Sequence, residues 1–325
     1  VSALPGWPHP HVAPFHAGER AAQAKVGVAQ RMAEIGQRVV RGVMPQQHRE
    51  FFPLLPFVVL GAVDAQGQPW ATLLAGSGPG FVTSPDETTL RIDALPPAGD
   101  PLVGLLDPGA PLGLLGIELP TRRRNRANGR VGQRDDTGFS LDVTQSFGNC
   151  PKYIQTRELL PGPAATAAGE SPRRAARLDA GMQALVRTAD TFFIATHAVG
   201  EGANGGSDVS HRGGRPGFVQ VRGDGTSLTW PDFIGNSFFN TLGNLVAQPR
   251  AGLVVPDFAS GSLLYVAGRA EIVWEGPQVE AFAGAQRLVR LQVDHALLRP
   301  CALPWRWRLL EPSPALEGTG RWSPL

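Results

Sequence analysis

Between residues 18 and 40 the apolar positions Ala22, Val26, Ala29, Met32 and Ile35 recur at three- and four-residue steps. That spacing predicts an amphipathic helix, closed off before Pro45. The period then changes. Phe57–Val63 is an unbroken apolar run rich in β-branched residues, Asp64-Ala65-Gln66-Gly67 is a turn sequence, and Trp70–Leu74 follows. This is the pattern of a hairpin. Pro79-Gly80-Phe81 opens a third strand, and Thr89–Ile92, Gly113–Ile117, Arg122–Val131 and Phe139–Val143 read as further ones. Asp100-Pro101 has the form of a helix start, with an aspartate to cap free amides and a proline in the first turn.

Residues 160–172 are rich in Pro, Ala and Gly and predict a linker. Ser171-Pro172 then starts a helix that gathers Leu178, Met182, Leu185, Val186 and Ala189 on one face. After it the strand pattern restarts. Phe57-Val58-Val59 is echoed by Phe192-Phe193-Ile194, Pro79-Gly80-Phe81 by Pro216-Gly217-Phe218, Thr88-Thr89-Leu90 by Thr226-Ser227-Leu228, and Asn128-Gly129-Arg130 by Ala267-Gly268-Arg269. Four matches in order at a nearly constant offset predict a tandem duplication of one antiparallel β unit. Each copy is expected to carry a short internal helix, the second over 237–247. Two such copies build in one chain what two subunits build around a two-fold axis.

Composition narrows the function classes. The chain has 325 residues, enough for two domains or one large one. Gly (40) and Pro (30) favour many turns over a helical bundle. Charged residues are 18% and the net charge is +2, which excludes charge-driven disorder. No apolar run approaches the length of a membrane-spanning helix, and the start lacks a signal-peptide pattern. Cys150 and Cys301 are the only cysteines, far apart, so a disulfide framework and a four-cysteine zinc site are not expected. A cytoplasmic protein that engages neither nucleic acid nor membrane is the expectation. Lys25 and Lys152 are the only lysines and neither follows a glycine, which closes the P-loop route. His9, His11 and His16 lie in a Pro/His-rich arm and read as a surface tail, without a completing ligand set for a metal.

Candidate chemistry concentrates in the second half. In Ser207–Phe218, Arg212 and Arg215 flank two glycines, placing guanidinium donors beside bare backbone amides. That suits a phosphate; the other reading is a Gly-rich turn with solvated arginines. Downstream, Asn236, Ser237, Asn240 and Thr241 cluster at a helix start, where free amides and the helix dipole favour an anion. Trp230 at the strand end suits packing against a flat ring, or a place in the core. Asp208, Ser210 and His211 are no triad, because strand neighbours point to opposite faces. The run 122–126 reads as a basic strand whose side chains alternate, either solvated or binding an acidic group. Cys150 is either an inert thiol or one activated by Lys152.

The motifs Arg212-Gly213-Gly214-Arg215-Pro216-Gly217-Phe218, Trp230-Pro231-Asp232, Thr241-Leu242-Gly243-Asn244-Leu245, Gln248-Pro249-Arg250-Ala251-Gly252-Leu253 and Val266-Ala267-Gly268-Arg269 resemble the pyridoxamine 5′-phosphate oxidase-like family of FMN-binding split β-barrels. The two-barrel branch is the nearer likeness, and Trp70-Ala71-Thr72, Asp100-Pro101-Leu102 and the stretches 122–129 and 145–154 extend it into the first half. The resemblance implies a mainly β (α+β) fold of tandem antiparallel split β-barrels with short helices and an N-terminal helix. Its divisions would be an arm and helix over 1–50, a first barrel over 51–159, a linker and helix over 160–190 and a second barrel with a C-terminal extension over 191–325.

It also implies FMN at the junction of the barrels. Ser210, His211, Arg212, Trp230, Pro231, Asp232, Asn236, Ser237, Asn240 and Thr241 would hold it, with Gln145 and Ser146 reaching over from the first barrel. Phe238-Phe239-Asn240 stands where the family carries a Ser-Arg-Lys triplet, so two cationic phosphate contacts are replaced by neutral hydrogen-bonders. The implied activity is an FMN-dependent oxidoreductase passing electrons or hydride between a reductant, NAD(P)H or a separate reductase, and a small-molecule substrate. The alternative is a non-catalytic protein that sequesters flavin or haem. A homodimer of the two-barrel chain is left open.

Overall fold

The computed structural model describes residues 6–162, 171–200 and 202–322, so most of the expected linker lies outside the described residues. The helix expected over 18–40 is two helices, α1 (Ala17–Lys25) and α2 (Ala29–Val39). Gly27 between them takes φ +73, a conformation a continuous helix does not allow. The arm before α1 is not a loose tail. Trp7 and Phe15 are buried with Met32, Val40, Phe147 and Phe238, and His16 turns inward to cap α1, its Nδ1 accepting from the Gly18 amide at 3.1 Å. A third helix, α3 (Gln46–Phe51), leads into the first sheet.

The first unit consists of β1 (Phe57–Val63), β2 (Pro69–Ala75), β3 (Val82–Thr83), β4 (Thr89–Ile92), β5 (Pro111–Glu118), β6 (Arg123–Arg134) and β7 (Phe139–Gly148). Next come β8 (Thr156–Pro161), β9 (Arg173–Ala175) and α4 (Ala180–Thr188). The second unit consists of β10 (Thr191–Ala198), β11 (Gly206–Gly213), β12 (Gln220–Val221), β13 (Ser227–Phe233), α5 (Asn240–Ala247), β14 (Arg250–Asp257), β15 (Ser262–Val273) and β16 (Ala285–Arg299), and β17 (Trp305–Glu311) pairs back onto β8. The strand orders are β2-β1-β5-β6-β7-β4-β3 and β11-β10-β14-β15-β16-β13-β12. These are the same order, antiparallel throughout, which makes the fold mainly β: two tandem split barrels with short helices and a helical N-terminal segment.

Three expectations fail locally. No helix follows Asp100, because residues 101–104 form turns; the Asp100 side chain caps one amide, Leu102 N at 3.0 Å, and spends its other oxygen on partners farther away. Ser171-Pro172 leads into β9, and α4 starts later, capped by Asp179 on the Met182 amide. The helix of the second copy begins at Asn240, since Ser237 and Phe239 take φ of 62 and 63, outside the helical region. Pairing also corrects the repeat by one residue. Gly61 pairs with Gly113 and Ala195 with Gly252, the matching glycines of β5 and β14, so Val58 is the counterpart of Phe192.

The halves clasp through an apolar layer. Val58, Leu60 and Ala62 point into the first barrel, while Phe57 and Val59 join Phe193, Ala195, Val209 and Tyr265 between the barrels. Burial on both faces explains why β1 and the Phe192–Ala195 stretch of β10 read as unbroken apolar runs. Two glycines set the approach. A Cβ on Gly113 would lie 2.9 Å from Asp208 Cα, and one on Gly252 would lie 2.1 Å from Pro69 O. Among the described residues no helix is long and apolar enough to cross a membrane.

Candidate functional site

A crevice of about 300 Å³ opens where β6 and the 149–153 turn of the first barrel meet β11, the end of β13 and the start of α5. That volume is at the low end of small-molecule sites. Of the residues expected at the junction, Ser210, His211, Arg212, Pro231, Asp232, Asn236, Ser237, Asn240 and Thr241 line it. Three do not. Trp230 is fully buried in the core of the second barrel, edge-on to Phe192 at 5.3 Å. Gln145 donates to Ala203 O at 3.1 Å and faces a separate small polar pocket with Glu19 and Asp208. Ser146 is buried against His48 Nδ1 at 2.9 Å. The β6–β7 register explains the last two: it pairs Gln145 with Asn128 and Ser146 with Ala127, and the chain reaches the crevice only at Asn149. Arg215 is also elsewhere, donating to Leu316 O.

The walls are cationic. Arg124 and Arg126, two apart on β6, share the face that meets the second barrel. Arg126 pairs with Asp208 at 3.1 Å and donates to Ser210 Oγ at 2.6 Å. Arg124 donates to Cys150 O at 2.8 Å. Burial, with Arg126 and Arg212 adding repulsion, pushes the Arg124 guanidinium down to about 9. Arg212 keeps its guanidinium 3.9 Å from Asp232, which Arg287 meets at 3.3 Å. Burial raises Asp232 above the ordinary carboxylate range, with both arginines pulling the other way. With Lys152 also on the wall, cations outnumber carboxylates, the field that attracts an anion.

Neutral groups complete the surface. Burial first, then Arg124, Arg212 and Arg157, hold His211 well below the usual histidine range, so the ring is neutral at physiological pH. His211 Nε2, Thr241 Oγ1 and Asn149 Oδ1 are buried without a protein partner. Phe239, the N-cap of α5, offers no side-chain acceptor, which leaves first-turn amides for another group. Tyr153, Phe233 and Phe239 supply aromatic wall, and Arg287 stacks on Phe239 at 4.9 Å. Of the five described non-glycine residues at positive φ, Tyr153, Ser237 and Phe239 all line this crevice. Backbone strain of that kind concentrates at binding sites.

The basic run was legible as a strand, but its burial was not, since nothing local says what covers β6. Arg287 carries no motif and comes into place only through pairing with Asp232 across β13 and β16.

No protein-family model and no curated protein matches the sequence. Solved structures similar to parts of the chain include HupZ of Group A Streptococcus, at 14% identity over 36% of this chain and 89% of that one, with a TM-score of 0.29. A candidate pyridoxamine 5′-phosphate oxidase from Lactobacillus delbrueckii is 16% identical over 38% of this chain and 94% of its own, with a TM-score of 0.30. A candidate 5-nitroimidazole antibiotic resistance protein from Bacteroides thetaiotaomicron is 7% identical over 45% and 94%, with a TM-score of 0.28. At such values these likenesses carry no functional argument, and the fold rests on the strand orders above.

Proposed function

We propose that the chain binds FMN in this crevice and acts as an FMN-dependent oxidoreductase of the pyridoxamine phosphate oxidase-like type. The observation that carries the reading is the crowding of Arg124, Arg126 and Arg212 on a buried wall with too few carboxylates to neutralise them. A phosphate supplies the missing charge through charge-assisted hydrogen bonds. Arg212, Arg124, the first-turn amides of α5 and the Thr241 hydroxyl would hold it. The aromatic wall of Tyr153, Phe233 and Phe239 suits a flat ring. Neutral His211 and Asn149 offer unpaired polar atoms to the edge of that ring, and the clasped barrels keep bulk water from one side.

When bound, the flavin supplies hydride or single-electron chemistry, and the protein fixes its orientation. The reductant is NAD(P)H or a separate reductase, and the substrate is a small molecule. The test is the visible spectrum of the purified protein, reconstituted with FMN and then given NAD(P)H. Flavin bands that bleach and recover with an electron acceptor support the reading. Bound flavin that no reductant bleaches would leave a sequestering protein, and a Soret band would mean haem. A protein that stays colourless with added FMN overturns the assignment.

A further inference from the structure

The duplication creates two junctions, and the strand registers allow them to be compared residue by residue. Gly113 pairs with Asn128 and Gly252 with Ala267, which makes Tyr265 the counterpart of Arg126. The β2 and β11 registers make Thr72 the counterpart of Ser210. The β6–β7 and β15–β16 registers put Arg299 where the first junction has Asn149. At the crevice Arg126 bonds Ser210 and Asp208, while Asn149 keeps an unpartnered Oδ1. At the second junction Thr72, Tyr265 and Arg299 all meet on one carboxylate. Asp100 Oδ2 accepts from Thr72 Oγ1 at 2.6 Å, from Tyr265 OH at 2.8 Å and from Arg299 Nη1 at 3.0 Å. Arg299 also donates to Ala98 O at 3.3 Å. All four side chains are buried.

We infer that the second junction is a closed polar clamp, and that the chain takes one flavin rather than the two its symmetry allows. The stoichiometry rests on the proposed function; the clamp does not. Two features separate the junctions. The crevice has excess positive charge, whereas Asp100 and Arg299 cancel each other. The crevice leaves Asn149, His211 and Thr241 with unpartnered buried atoms, whereas none of Thr72, Asp100, Tyr265 and Arg299 has one among the described residues. A fully satisfied network gives an incoming ligand nothing to bind and everything to break. The loop bearing Asp100 makes this possible. It occupies the place of the 234–241 stretch between the fourth and fifth strands, and without a helix there Asp100 reaches across to the other barrel.

The experiment has two arms on the full chain. Calorimetric titration with FMN should give one site per chain, and Arg212→Ala should weaken that site at least tenfold. Two sites, or FMN binding undiminished in Arg212→Ala, overturns the inference. The second arm needs no flavin. Urea midpoints are measured for Asp100→Ala, Arg299→Ala and the double variant. In a closed clamp the double variant loses little more than the worse single one. Losses that simply add overturn the clamp. Should FMN fail to bind at all, this arm still decides the clamp, and only the cofactor reading falls.

Discussion

Asn240 donates its side-chain amide to Glu19 Oε1 at 2.6 Å, joining the start of α5 to the first turn of α1. Its Oδ1 accepts from Arg126 Nη1 at 2.8 Å, so one amide spans the helical arm and the cationic wall of the crevice. Gln23 adds a bond to Phe238 O at 3.2 Å, and Gly18 lies so close to Gly243 that a Cβ there would meet its carbonyl at 2.2 Å. The N-terminal helix therefore fixes the strained 237–240 turn on which the proposed phosphate site depends.

The same contact sets a pH dependence. Burial pushes the Glu19 carboxyl up to about 8, against the His16 amide and Asn240, with Asp208 adding to the rise and Arg126 opposing it. A carboxyl raised in the folded state binds more protons folded than unfolded between its two values. Its contribution to stability is full at low pH and is lost as pH climbs towards 8. Glu19→Gln imitates the protonated form and removes that loss. Its unfolding free energy in urea, relative to wild type, should be higher at pH 9 than at pH 5, by an amount on the order of a few kcal/mol. An equal offset at both pH values would show that Glu19 is already ionised.

Arg124 should behave as a binding residue that costs stability. Two like charges and burial oppose it in the ligand-free protein. Arg124→Met should raise the melting temperature without ligand, by about 0.5–2 kcal/mol of stability. It should weaken FMN by about 1.5–3 kcal/mol, the worth of a charge-assisted bond. Arg212→Ala, more exposed and less crowded, should show the same loss of affinity with little gain in stability. Thermal unfolding with and without FMN measures both, and an Arg124→Met protein less stable when empty would contradict this account.

Much of this molecule could be read from its sequence. β1 runs over Phe57–Val63 and β4 over Thr89–Ile92, as their patterns predict, because a strand buried on both faces and a strand flanked by turns leave local signatures. The repeat showed because identical strand orders need similar turns at similar intervals. What stayed hidden was set by partners distant in sequence. Asp100-Pro101 has every local mark of a helix start, yet Tyr265 and Arg299, from 165 and 199 residues away, claim the aspartate. Gln145-Ser146 missed the crevice because a bulge at Asn128/Gly129 sets the β7 register, and side chains alternate from there. Nine of the expected cofactor contacts come together, since the stretches 210–212 and 231–241 are each local. Their partners from the first barrel were visible as a basic run and as the stretch 145–154, with nothing local to show that the two meet there.

Close backbone approach between the barrels yields another prediction. A Cβ at Gly252 would stand 2.1 Å from Pro69 O and 2.8 Å from Trp70 Cα, both backbone atoms of the other half. Neither can yield as a flexible side chain would. Gly252→Ala should cost about 1–3 kcal/mol as the halves separate, and FMN should weaken with it because the crevice is formed by both. An alanine variant with unchanged urea midpoint and unchanged FMN affinity would mean that the interface is looser than this packing.

Arg157 and Asp190 tie the β8–β17 ribbon to the second barrel through bonds of 2.5 and 2.6 Å, and the guanidinium lies 4.0 Å from the centre of the Phe258 ring. Both groups are largely out of water, and Arg157 Nη1 already lacks a partner. Removing one member of such a pair strands the other charge, so Asp190→Ala should destabilise by about 3–5 kcal/mol. Replacing both with apolar residues, as in Arg157→Leu/Asp190→Leu, should recover most of that loss. The two variants part at the crevice. Arg157 is one of the charges that keep His211 neutral, so a protein that retains Arg157 without Asp190 should hold His211 at least as far below its ordinary range as the wild type does. The double variant should let it rise towards that range. Nuclear magnetic resonance titration of the His211 ring separates them, and an identical midpoint in both variants would remove Arg157 from the electrostatics of the site.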